Sequence, residues 1–306
     1  MHYLYQWIKK KNFTNQLCPH TFWPSNKTLV AEKKISASKE RELLKLTNKV
    51  ALIMGCGSVA PGWGNGRTMA VLMARQGASI FGTDLRLENA DDTRTRMHEE
   101  GFHIDVAQCD STKADDVQRA VQACMEVHGR IDILVNNVGL SQPGGPVDMT
   151  EEVWDAQMQV NLKGAFLACK HVIPIMQKNR SGSIISVSSV AGLRYVGKPQ
   201  VAYAAAKAAL IQFTKTTAVI HAADGIRLNC VVPGLMHTPL LESLVAKYSQ
   251  GDPEGFLARR NNQIPMKYMG DAWDTAHAAL FLAADESRYV TGTEIVVDGG
   301  LIASTP

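Results

Sequence analysis

A tyrosine and a lysine stand four residues apart in an alanine-rich stretch, VAYAAAKAALIQF, that the sequence predicts to be helical. Residues four apart lie on one helix face, one turn from each other. A phenol such as that of Tyr203 has an ordinary pKa of about 10, and a cation held close to it, here Lys207, favours the phenolate and lowers that pKa. A phenol adjusted in this way exchanges a proton with an alcohol or a carbonyl near neutral pH. The pair therefore indicates acid–base chemistry.

Apolar runs and helix-length segments alternate along the chain from Lys49 onward. Continuous apolar runs of this length are typical of strands buried on both faces of a parallel sheet. Strands that alternate with helices predict an α/β fold: a single Rossmann-like domain, residues 47–306, with a doubly wound parallel sheet of about seven strands flanked by helices. The predicted strands are 49–54, 78–84, 102–108, 131–136, 182–188, 226–232 and 294–298, and the predicted helices include 66–76, 113–128, 150–178, 201–223 and 272–284.

The N-terminal segment differs in charge from the rest of the chain. Residues 1–46 carry nine Lys and Arg and three acids, whereas the remainder carries 23 Lys and Arg and 26 acids. The basic balance of the chain comes from this extension, and the mildly acidic body argues against a nucleic-acid partner. The extension is interpreted as a poorly ordered tail; a spurious upstream start of the reading frame and a targeting peptide are the alternatives.

Membrane insertion, metal binding and disulfides find no support in the sequence. No apolar run approaches the ~18–20 residues that a membrane helix needs. The six cysteines, at positions 18, 56, 109, 124, 169 and 230, form neither a CxxC motif nor a cluster with histidines, so no metal site is predicted. Free thiols in a reducing cytoplasm are the plain interpretation, and they predict a cytoplasmic protein without a membrane partner.

A glycine-rich turn, MGCGSVAPGWGNGRTMA, connects the first predicted strand to the first predicted helix. Glycines at such a turn let the backbone approach a pyrophosphate, which then lies at the helix N-terminus. The predicted contacts are Gly55, Gly64 and Gly66. An ordinary flexible loop is the alternative, but the preceding strand, the following helix and an acid at the end of the second strand favour a nucleotide site.

Asp84 ends the second predicted strand, eighteen residues after Gly66. The acid that binds the ribose of a dinucleotide lies about 20 residues beyond the glycine turn. A carboxylate here would accept hydrogen bonds from the adenosine ribose and repel a 2′-phosphate, so NAD is favoured as the cofactor. NADP stays open, because Arg86 could hold the 2′-phosphate. A turn residue at the strand end is the alternative for Asp84.

Asp110 follows the third predicted strand, where an acid could bind the adenine amino group of a dinucleotide. The alternative is an N-cap ahead of the helix predicted at 113–128, and one carboxylate could fill both roles.

These marks occur together in one known family. The chain from about 47 to 302 resembles the short-chain dehydrogenase/reductases, with an extended glycine-rich loop. The resemblance implies an oxidoreductase that transfers a hydride between NAD(P) and a secondary alcohol or ketone. The matching segments are the glycine-rich turn, Asp84, Asp110, NNVG (136–139), VNLKGAF around Asn161, SVSS (186–189), YAAAK (203–207), PGLMHTP (233–239) and YVTGTEIVVDGG (289–300).

Four catalytic roles follow from the resemblance. Tyr203 resembles the general acid/base, and Lys207 resembles the residue that lowers the pKa of the tyrosine and binds the nicotinamide ribose. Ser189 resembles the hydroxyl that orients the substrate oxygen. Asn161 resembles the residue that kinks its helix and holds a water in a proton relay to Lys207. The neighbouring Ser188 is the alternative to Ser189, since strand alternation separates the two side chains, and a surface position is the alternative for Asn161.

The same resemblance implies cofactor contacts beyond the glycine-rich turn. They comprise the turn beneath the adenosine ribose, the tyrosine–lysine pair and the segment that borders the nicotinamide carboxamide. In chain order these positions are Asn137, Gly139, Tyr203, Lys207, Pro233, Gly234 and Thr238. Tyr195 is a rival phenol, but Pro199 occupies the position where its lysine would be needed, so Tyr195 is predicted to line the pocket.

The glycine-rich turn departs from the family pattern TGxxxGxG. Met54 replaces the threonine, and Gly64 stands nine positions after Gly55 instead of four, so the glycine that touches phosphate stays open. Enoyl-thioester reductases of the same superfamily also carry a stretched loop, but with six residues rather than three between their tyrosine and lysine. The YxxxK spacing therefore favours carbonyl chemistry. An enoyl-thioester reductase and a non-catalytic nucleotide-binding sensor or scaffold are the alternatives.

The stretch 235–270 interrupts the alternation of strands and helices. An insert beyond the carboxyl end of a strand lies where such folds bind ligands, so it is predicted to be a substrate lid. Its apolar residues either pack the lid onto the core or contact an apolar substrate, and Arg259 and Arg260 either face solvent or meet an anionic group. The apolar residues are Leu240, Leu241, Leu244, Tyr248, Phe256, Leu257 and Met266.

Assembly is predicted from the resemblance alone. Related enzymes form homodimers or homotetramers through the helices that correspond to 150–178 and 201–223. Small residues on these segments suit a close approach between subunits, and packing on the sheet of the same subunit is the alternative. They are Gly164, Ala165, Ala168, Ala204, Ala205 and Ala208.

Overall fold

The structure is a computed structural model that describes residues 43–249 and 251–305. The predicted N-terminal extension lies outside the described residues except for its last four, 43–46. Leu46 is fully buried in the core, and its backbone N–H donates to the Gln76 carbonyl at 2.8 Å. The packed core therefore begins one residue before the predicted boundary at 47.

Nine strands occur in the described residues, and seven of them form one parallel sheet. The strands are β1 Val50–Met54, β2 Ser79–Asp84, β3 Ile104–Gln108, β4 Ile133–Asn136, β5 Gly182–Val187, β6 Ile226–Pro233, β7 Met236–His237, β8 Gly270–Asp271 and β9 Glu294–Val297. The sheet has the order β3-β2-β1-β4-β5-β6-β9, while β7 and β8 form a separate two-stranded ladder. The seven sheet strands begin and end within two residues of the predicted bounds, and the predicted fold class is confirmed.

Helices connect the strands and cover both faces of the sheet. They are α1 Asn65–Arg75, α2 Leu87–Glu99, α3 Ala114–His128, α4 Glu151–Met158, α5 Gly164–Asn179, α6 Val201–His221, α7 Pro239–Tyr248, α8 Pro253–Gln263 and α9 Ala272–Ala283. One long helix is predicted over 150–178, but a π-helical turn, Gln159–Lys163, separates α4 from α5. Helix α2 is not among the predicted helices. Its charged sequence, LENADDTRTRMHE, buries little apolar surface and therefore has no clear apolar stripe.

Alternate residues of the strands divide between two cores, as expected for a sheet buried on both faces. In β1, Ile53 packs with α1 and α9 on one face, whereas Leu52 packs with α3 and α5 on the other. Parallel pairing places the carboxyl ends of the strands at one edge. The strand order reverses at β1, which pairs with both β2 and β4, and ligands of such sheets bind at this reversal.

Candidate active site

Tyr203 and Lys207 lie one turn apart on α6, as predicted. Lys207 Nζ is 5.7 Å from the centroid of the Tyr203 ring. The lysine is 2% exposed, and its ammonium donates a hydrogen bond of 2.9 Å to the carbonyl of Val187, the last residue of β5. Burial lowers the pKa of Lys207 to about 8. This ammonium is therefore fixed at the carboxyl edge of the sheet and loses its proton more readily than a lysine in water.

The hydroxyl of Tyr203 forms a hydrogen bond with Ser189. Burial raises the pKa of Tyr203, and the bond with Ser189 offsets part of that rise. The lowering of the Tyr203 pKa by Lys207 is not seen in this structure and stays a prediction. The reason is that burial of the phenol dominates, while the lysine ammonium is directed at the Val187 carbonyl. Tyr203 consequently holds its proton at neutral pH.

The two adjacent serines point to opposite sides, as strand alternation requires. Ser188 is buried, and its hydroxyl donates to the backbone carbonyl of Lys207 at 2.8 Å. The Ser189 hydroxyl accepts from the backbone N–H of Ala191 at 3.2 Å and meets the Tyr203 hydroxyl. Of the two, Ser189 is therefore the serine beside the phenol.

Asn161 lies in the π-helical turn between α4 and α5, and it is 1% exposed. Its amide nitrogen donates to the carbonyls of Leu140 at 2.7 Å and Gln157 at 2.8 Å, and its oxygen accepts from the Leu140 N–H at 3.1 Å. A π-helical turn of this kind shifts the register of the helix and aims its side chains differently. A surface position for Asn161 is excluded.

Gly139 separates Asn161 from Lys207. A β-carbon placed on Gly139 would lie 3.4 Å from Asn161 Oδ1 and 3.5 Å from Lys207 Nζ. The asparagine oxygen and the lysine ammonium therefore face the same small space. The sequence predicted all three residues at the site, and the structure brings them together.

The glycine-rich turn is close-packed around Gly55 and Gly66. Gly55 has a left-handed φ of 82°, and its carbonyl accepts from the Asn137 side-chain amide at 2.8 Å. A β-carbon on Gly66 would lie 1.9 Å from the Gly55 carbonyl oxygen and 2.6 Å from Asn137 Nδ2, so only glycine fits there. Gly64 is the N-cap of α1. Gly64 and Gly66 thus flank the helix N-terminus, whereas Gly55 supports the turn from the strand end.

Arg67 fixes the extra length of the glycine-rich loop, a role that the sequence analysis missed. Its side chain is 0% exposed. The guanidinium donates to the Gly62 carbonyl at 2.6 Å and to Thr93 Oγ1 at 3.0 Å, and it pairs with Asp92 of α2. A cation in the first turn of a helix opposes the helix dipole. This unfavourable position in the sequence was the available signal that Arg67 has a special role.

Two further contacts hold the tip of the loop. The Trp63 ring lies 5.1 Å from the Trp273 ring of α9 between centroids. A β-carbon on Gly62, whose φ is 121°, would lie 3.0 Å from Pro239, the first residue of α7. The extended loop therefore packs on its own domain and reaches the start of the predicted lid.

Asp84 faces the glycine-rich turn from the end of β2. Its Oδ2 accepts from the Gly57 N–H at 3.1 Å and its Oδ1 from the Arg86 N–H at 3.2 Å. A β-carbon on Gly57 would lie 2.7 Å from the Asp84 carboxylate. Gly57, which is absent from the predicted contacts, therefore lets the turn close onto this acid. The Arg86 side chain is exposed.

Asp110 has the predicted position beyond β3, but it is not a helix N-cap. The N-cap of α3 is Lys113. The Asp110 carboxylate instead accepts from the backbone N–H of Thr112 at 3.0 Å and from its hydroxyl at 2.7 Å. The acid stabilises the turn that precedes the helix, because the chain needs three more residues before it becomes helical.

The segment after β6 closes the other side of the site. Pro233 is the last residue of β6, and the N–H of Gly234 donates to the Val297 carbonyl at 2.8 Å. A β-carbon on Gly234 would lie 2.7 Å from Asp298 Cβ, so this position too requires glycine. Thr238 is the N-cap of α7 without a side-chain capping bond, which leaves its hydroxyl available.

The predicted lid consists of α7 and α8 and is held at its base by the β7–β8 ladder. Leu241 is 2% exposed and packs inward, whereas Leu240 and Met266 are 52% and 55% exposed. The side chains of residues 243 and 246–248, which include the predicted Tyr248, lie outside the description. Packing onto the core therefore accounts for Leu241 but not for its exposed neighbour.

The loop between Ser189 and α6 is fixed to the C-terminal segment. The Arg194 guanidinium donates to the carbonyls of Leu301 at 3.0 Å and Ser304 at 2.8 Å. Tyr195 in the same loop is 72% exposed. Tyr203, and not Tyr195, is the phenol near Ser189.

An orphaned polar atom lies at the N-terminus of α1. The Asn65 side-chain oxygen is buried and has no hydrogen-bond partner among the described residues. Together with the closely approached Gly66 and the carboxylate beside Gly57, it forms a cradle that fits a dinucleotide. Within residues 43–249 and 251–305, no group of three or more His, Cys, Asp or Glu is arranged to hold a metal ion.

A cavity of about 520 Å³ opens at the opposite, amino edge of the sheet. It is lined by the starts of β4, β5 and β6 and by the Lys49–Asp285 ion pair, whose N–O distance is 3.4 Å. None of the predicted site residues lines it, so the candidate site stays at the carboxyl edge.

Comparison with known proteins defines the class. A family model described as "Enoyl-(Acyl carrier protein) reductase" matches residues 59–302. The solved structure of a putative short-chain dehydrogenase/reductase from Burkholderia xenovorans matches with a TM-score of 0.83 and 48% identity, covering 85% of this chain and 99% of that one. The chain belongs to the short-chain dehydrogenase/reductase family and is an oxidoreductase of that family.

Two curated relatives are similar over most of the chain. Oxidoreductase UcpA of Salmonella typhimurium is 39% identical over 264 residues, covering 84% of this chain and 95% of its own. 3-oxoacyl-(acyl-carrier-protein) reductase FabG of Thermotoga maritima is 39% identical over 259 residues, covering 85% of this chain and 100% of its own.

Two further observations concern membrane spans and cysteines. No helix in the described part of the chain is both long and apolar enough to span a membrane. The five cysteines within the described residues are free and buried, as expected for them from the sequence.

Proposed function

We propose that this protein transfers a hydride between NAD and a secondary alcohol or ketone, with Tyr203 as the general acid/base. The observation that carries the proposal is the arrangement around Tyr203: Lys207 Nζ lies 5.7 Å from the centroid of its ring, one helical turn away, and Ser189 is near enough to its hydroxyl to affect its pKa. A substrate oxygen placed between the two hydroxyls would be oriented by Ser189 and would exchange its proton with Tyr203.

The residues at the carboxyl edge supply the remaining functions. Bound NAD supplies the hydride acceptor, or the donor in its reduced form. Its pyrophosphate would lie at the N-terminus of α1 near Gly64 and Gly66, its adenosine between Asp84 and Asp110, and its nicotinamide near Thr238. The other proposed contacts are Gly55, Asn137, Gly139, Tyr203, Lys207, Pro233 and Gly234.

A proton path leads away from the phenol along the described polar groups. Lys207 would bind the nicotinamide ribose, and Asn161 would hold a water in the space beside Gly139 that both residues face. Because burial keeps Tyr203 protonated, the phenol is ready to protonate a carbonyl, and it regains its proton through this relay. In the reverse direction the same relay removes the proton of an alcohol.

The test of the proton transfer is Tyr203→Phe. Removing a general acid/base of this kind lowers turnover by about 10²–10⁴-fold, while NAD should still raise the melting temperature of the variant. Turnover is measured by the absorbance of reduced nicotinamide with a broad panel of alcohols and ketones. Tyr195→Phe is the matched control, since its exposed phenol has no such role and activity should be unchanged. Near-normal turnover of Tyr203→Phe would refute the proposal.

The cofactor preference rests on Asp84. Loss of the carboxylate charge in Asp84→Asn should lower the affinity for NAD by about tenfold, because a charged hydrogen bond to the ribose is removed. The preference for NAD over NADP should fall with it. Dissociation constants of both cofactors, measured by calorimetry, check this. Arg86→Gln is the control. If this variant lowers the affinity for NADP as strongly as Asp84→Asn lowers the affinity for NAD, Arg86 rather than Asp84 sets the cofactor preference.

Reduction of an enoyl thioester is the second candidate. The stretched glycine-rich loop and the match to a family described as enoyl-(acyl carrier protein) reductases favour it. The three residues between Tyr203 and Lys207 favour carbonyl chemistry, and FabG, the Thermotoga maritima relative, is named for a 3-oxoacyl substrate. Crotonyl-CoA and acetoacetyl-CoA with NADH separate the two: consumption of the enoyl thioester alone would favour the second candidate. Binding of NAD with no turnover of any substrate would instead indicate a sensor or scaffold.

Location and assembly complete the proposal. The free, buried thiols are compatible with a reducing cytoplasm, and a small-molecule alcohol or ketone is the proposed partner. A homodimer or homotetramer through α5 and α6 is the proposed assembly.

A further inference from the structure

The lid helix α8 ends beside the loop that leads to Tyr203. A β-carbon placed on Gly197 would lie 3.8 Å from Gln263 Nε2, at the last residue of α8. Gly197 itself belongs to the loop between Ser189 and α6. Side chains near the end of α8 are therefore next to the loop that joins Ser189 to Tyr203.

Two consecutive arginines of α8 have opposite surroundings. The Arg259 side chain is 64% exposed, and its guanidinium is 3.5 Å from the Asp252 carboxylate. Arg260 is partly buried and lies 5.7 Å from the centroid of the Phe256 ring, one turn earlier. One turn later on the same face, Ile264 is 1% exposed. Arg260 therefore belongs to the inner face of the lid.

Arg260 is not satisfied by the described residues. Its Nε is buried without a hydrogen-bond partner among them, and burial lowers the pKa of its guanidinium. No acid in the described part of the chain forms an ion pair with it. A buried donor on a cation without a partner is unfavourable, so the arrangement fits a site whose partner comes from outside the chain.

A second cation, Lys198, follows Gly197 in the adjoining loop, and its side chain is exposed. Desolvation of its ammonium and the charge of Arg260 both lower the pKa of Lys198. Within the described residues Lys198 also has no ion pair with an acid. Two cations held together repel each other, and an anion between them would relieve that repulsion.

We propose that Lys198 and Arg260 bind an anionic group of the substrate, a carboxylate or a phosphate, at the end remote from the reacting carbonyl. This inference rests on the proposed function, which places the carbonyl at Tyr203. The planar guanidinium of Arg260 suits either anion because it can donate two parallel hydrogen bonds. Lys198 contributes a second charge from the loop.

The test uses three probes that share a 3-oxobutanoyl group. They are 3-oxobutanoate with a carboxylate, acetoacetyl-CoA with phosphates, and neutral ethyl 3-oxobutanoate. Binding to the protein in the presence of NAD is measured by calorimetry for wild type, Arg260→Gln and Lys198→Gln. Either variant should weaken at least one anionic probe by about tenfold, the effect of losing one charged hydrogen bond, and leave the neutral probe unchanged. The probe whose affinity falls shows whether the subsite takes a carboxylate or a phosphate.

Arg259→Gln is the matched control, one residue away but turned to solvent and paired with Asp252, and it should bind all probes as wild type does. Equal affinity of wild type and both variants for the anionic probes, or the absence of binding by either anion, would overturn the inference. Loss of NAD affinity in Arg260→Gln would also overturn it, because the cation would then serve the cofactor. If anions bind through Arg260 but no ketone is reduced, the proposed function fails and the anion subsite stands.

Discussion

At the scale of single residues, the site combines a buried ammonium with a half-buried phenol. Lys207 has no ion pair with an acid among the described residues; its hydrogen bond goes to the neutral Val187 carbonyl. Burial therefore shifts the pKa of the lysine down and that of Tyr203 up. Both shifts favour the uncharged forms, the neutral phenol and the neutral amine, over an ion pair between phenolate and ammonium.

The shift of Lys207 makes a prediction about stability. Its folded pKa of about 8 lies below the unfolded value, so between these values the unfolded state binds more protons and stability rises with pH. Lys207→Met removes this dependence. Its free energy of unfolding relative to wild type should be highest near pH 7 and should fall by about 2–3 kcal/mol towards pH 10.

Denaturant unfolding of both proteins across this pH range is the measurement. The contributions of the other buried cysteines cancel in the difference. The charge of Lys207 lowers the pKa of Cys230, so both proteins also carry Cys230→Ala. A difference that stays constant with pH would show that Lys207 is not destabilised by burial.

Residue types and spacing allowed much of the candidate site to be predicted. The YxxxK spacing placed Tyr203 and Lys207 one turn apart, and alternation separated Ser188 from Ser189. The direction of the Tyr203 pKa was not predictable, because it depends on burial of the ring, which the spacing does not contain. The contacts of Arg67 were not predictable either: a cation in the first turn of a helix is unusual, but this signal does not show that the side chain is fully buried or what it binds.

At the scale of elements, the extended glycine-rich loop is held by specific contacts. Arg67 of α1 joins the Gly62 carbonyl to Thr93 and Asp92 of α2. The Thr93 hydroxyl in turn donates to the Cys56 carbonyl at 2.9 Å. One side chain thus connects both ends of the loop to a neighbouring helix, and the loop geometry should depend on it.

Arg67→Met should therefore disturb both stability and cofactor binding. We expect a loss of about 1–3 kcal/mol in the free energy of unfolding, because the Gly62 carbonyl and the buried Thr93 hydroxyl lose their bonds with the guanidinium, and a weaker affinity for NAD. Arg119→Met is the control: its exposed ion pair with Asp116 is worth about 0.2–1 kcal/mol. Unfolding and NAD titrations of the two variants are compared, and equal, small effects would contradict the role assigned to Arg67.

Elements with strong periodicity were predictable and short or charged ones were not. The sheet strands agree within two residues because their continuous apolar runs reflect burial on both faces. Helix α2 carries its buried side chains at Ala90, Thr93 and Met97, too few for a clear apolar stripe. The π-helical turn adds one residue to a helical pattern without changing its composition.

At the scale of the whole molecule, the small residues proposed for subunit contact divide into two sets. Gly164, Ala165 and Ala168 of α5 are buried within the subunit, so packing inside the domain accounts for them. On α6, Ala205 and Ala208 are exposed and Ala204 is half-buried. Exposed alanines on a long helix permit close approach of a second helix, so α6 carries the surface that the assembly proposal needs.

Ala208→Arg should break the proposed assembly. A long charged side chain at a close helix contact prevents approach and leaves an unpaired charge, so the mass from light scattering should fall from an oligomer to a smaller species. Gln122→Arg on the exposed surface of α3 adds the same charge elsewhere and should leave the mass unchanged. A monomeric wild type, or an Ala208→Arg oligomer of unchanged mass, would refute the assembly through α6.

The two-rung ladder at the base of the lid has a consequence for how this enzyme scaffold can change. Met236 and His237 pair with Gly270 and Asp271, and Asp271 also forms the capping box that starts α9. The segment between β7 and β8 therefore begins and ends at the same short ladder, whatever its length or sequence. Residues 239–269 form a replaceable segment: a lid of another length or sequence, joined just after Thr238, should alter which molecules enter without altering the residues that react with them.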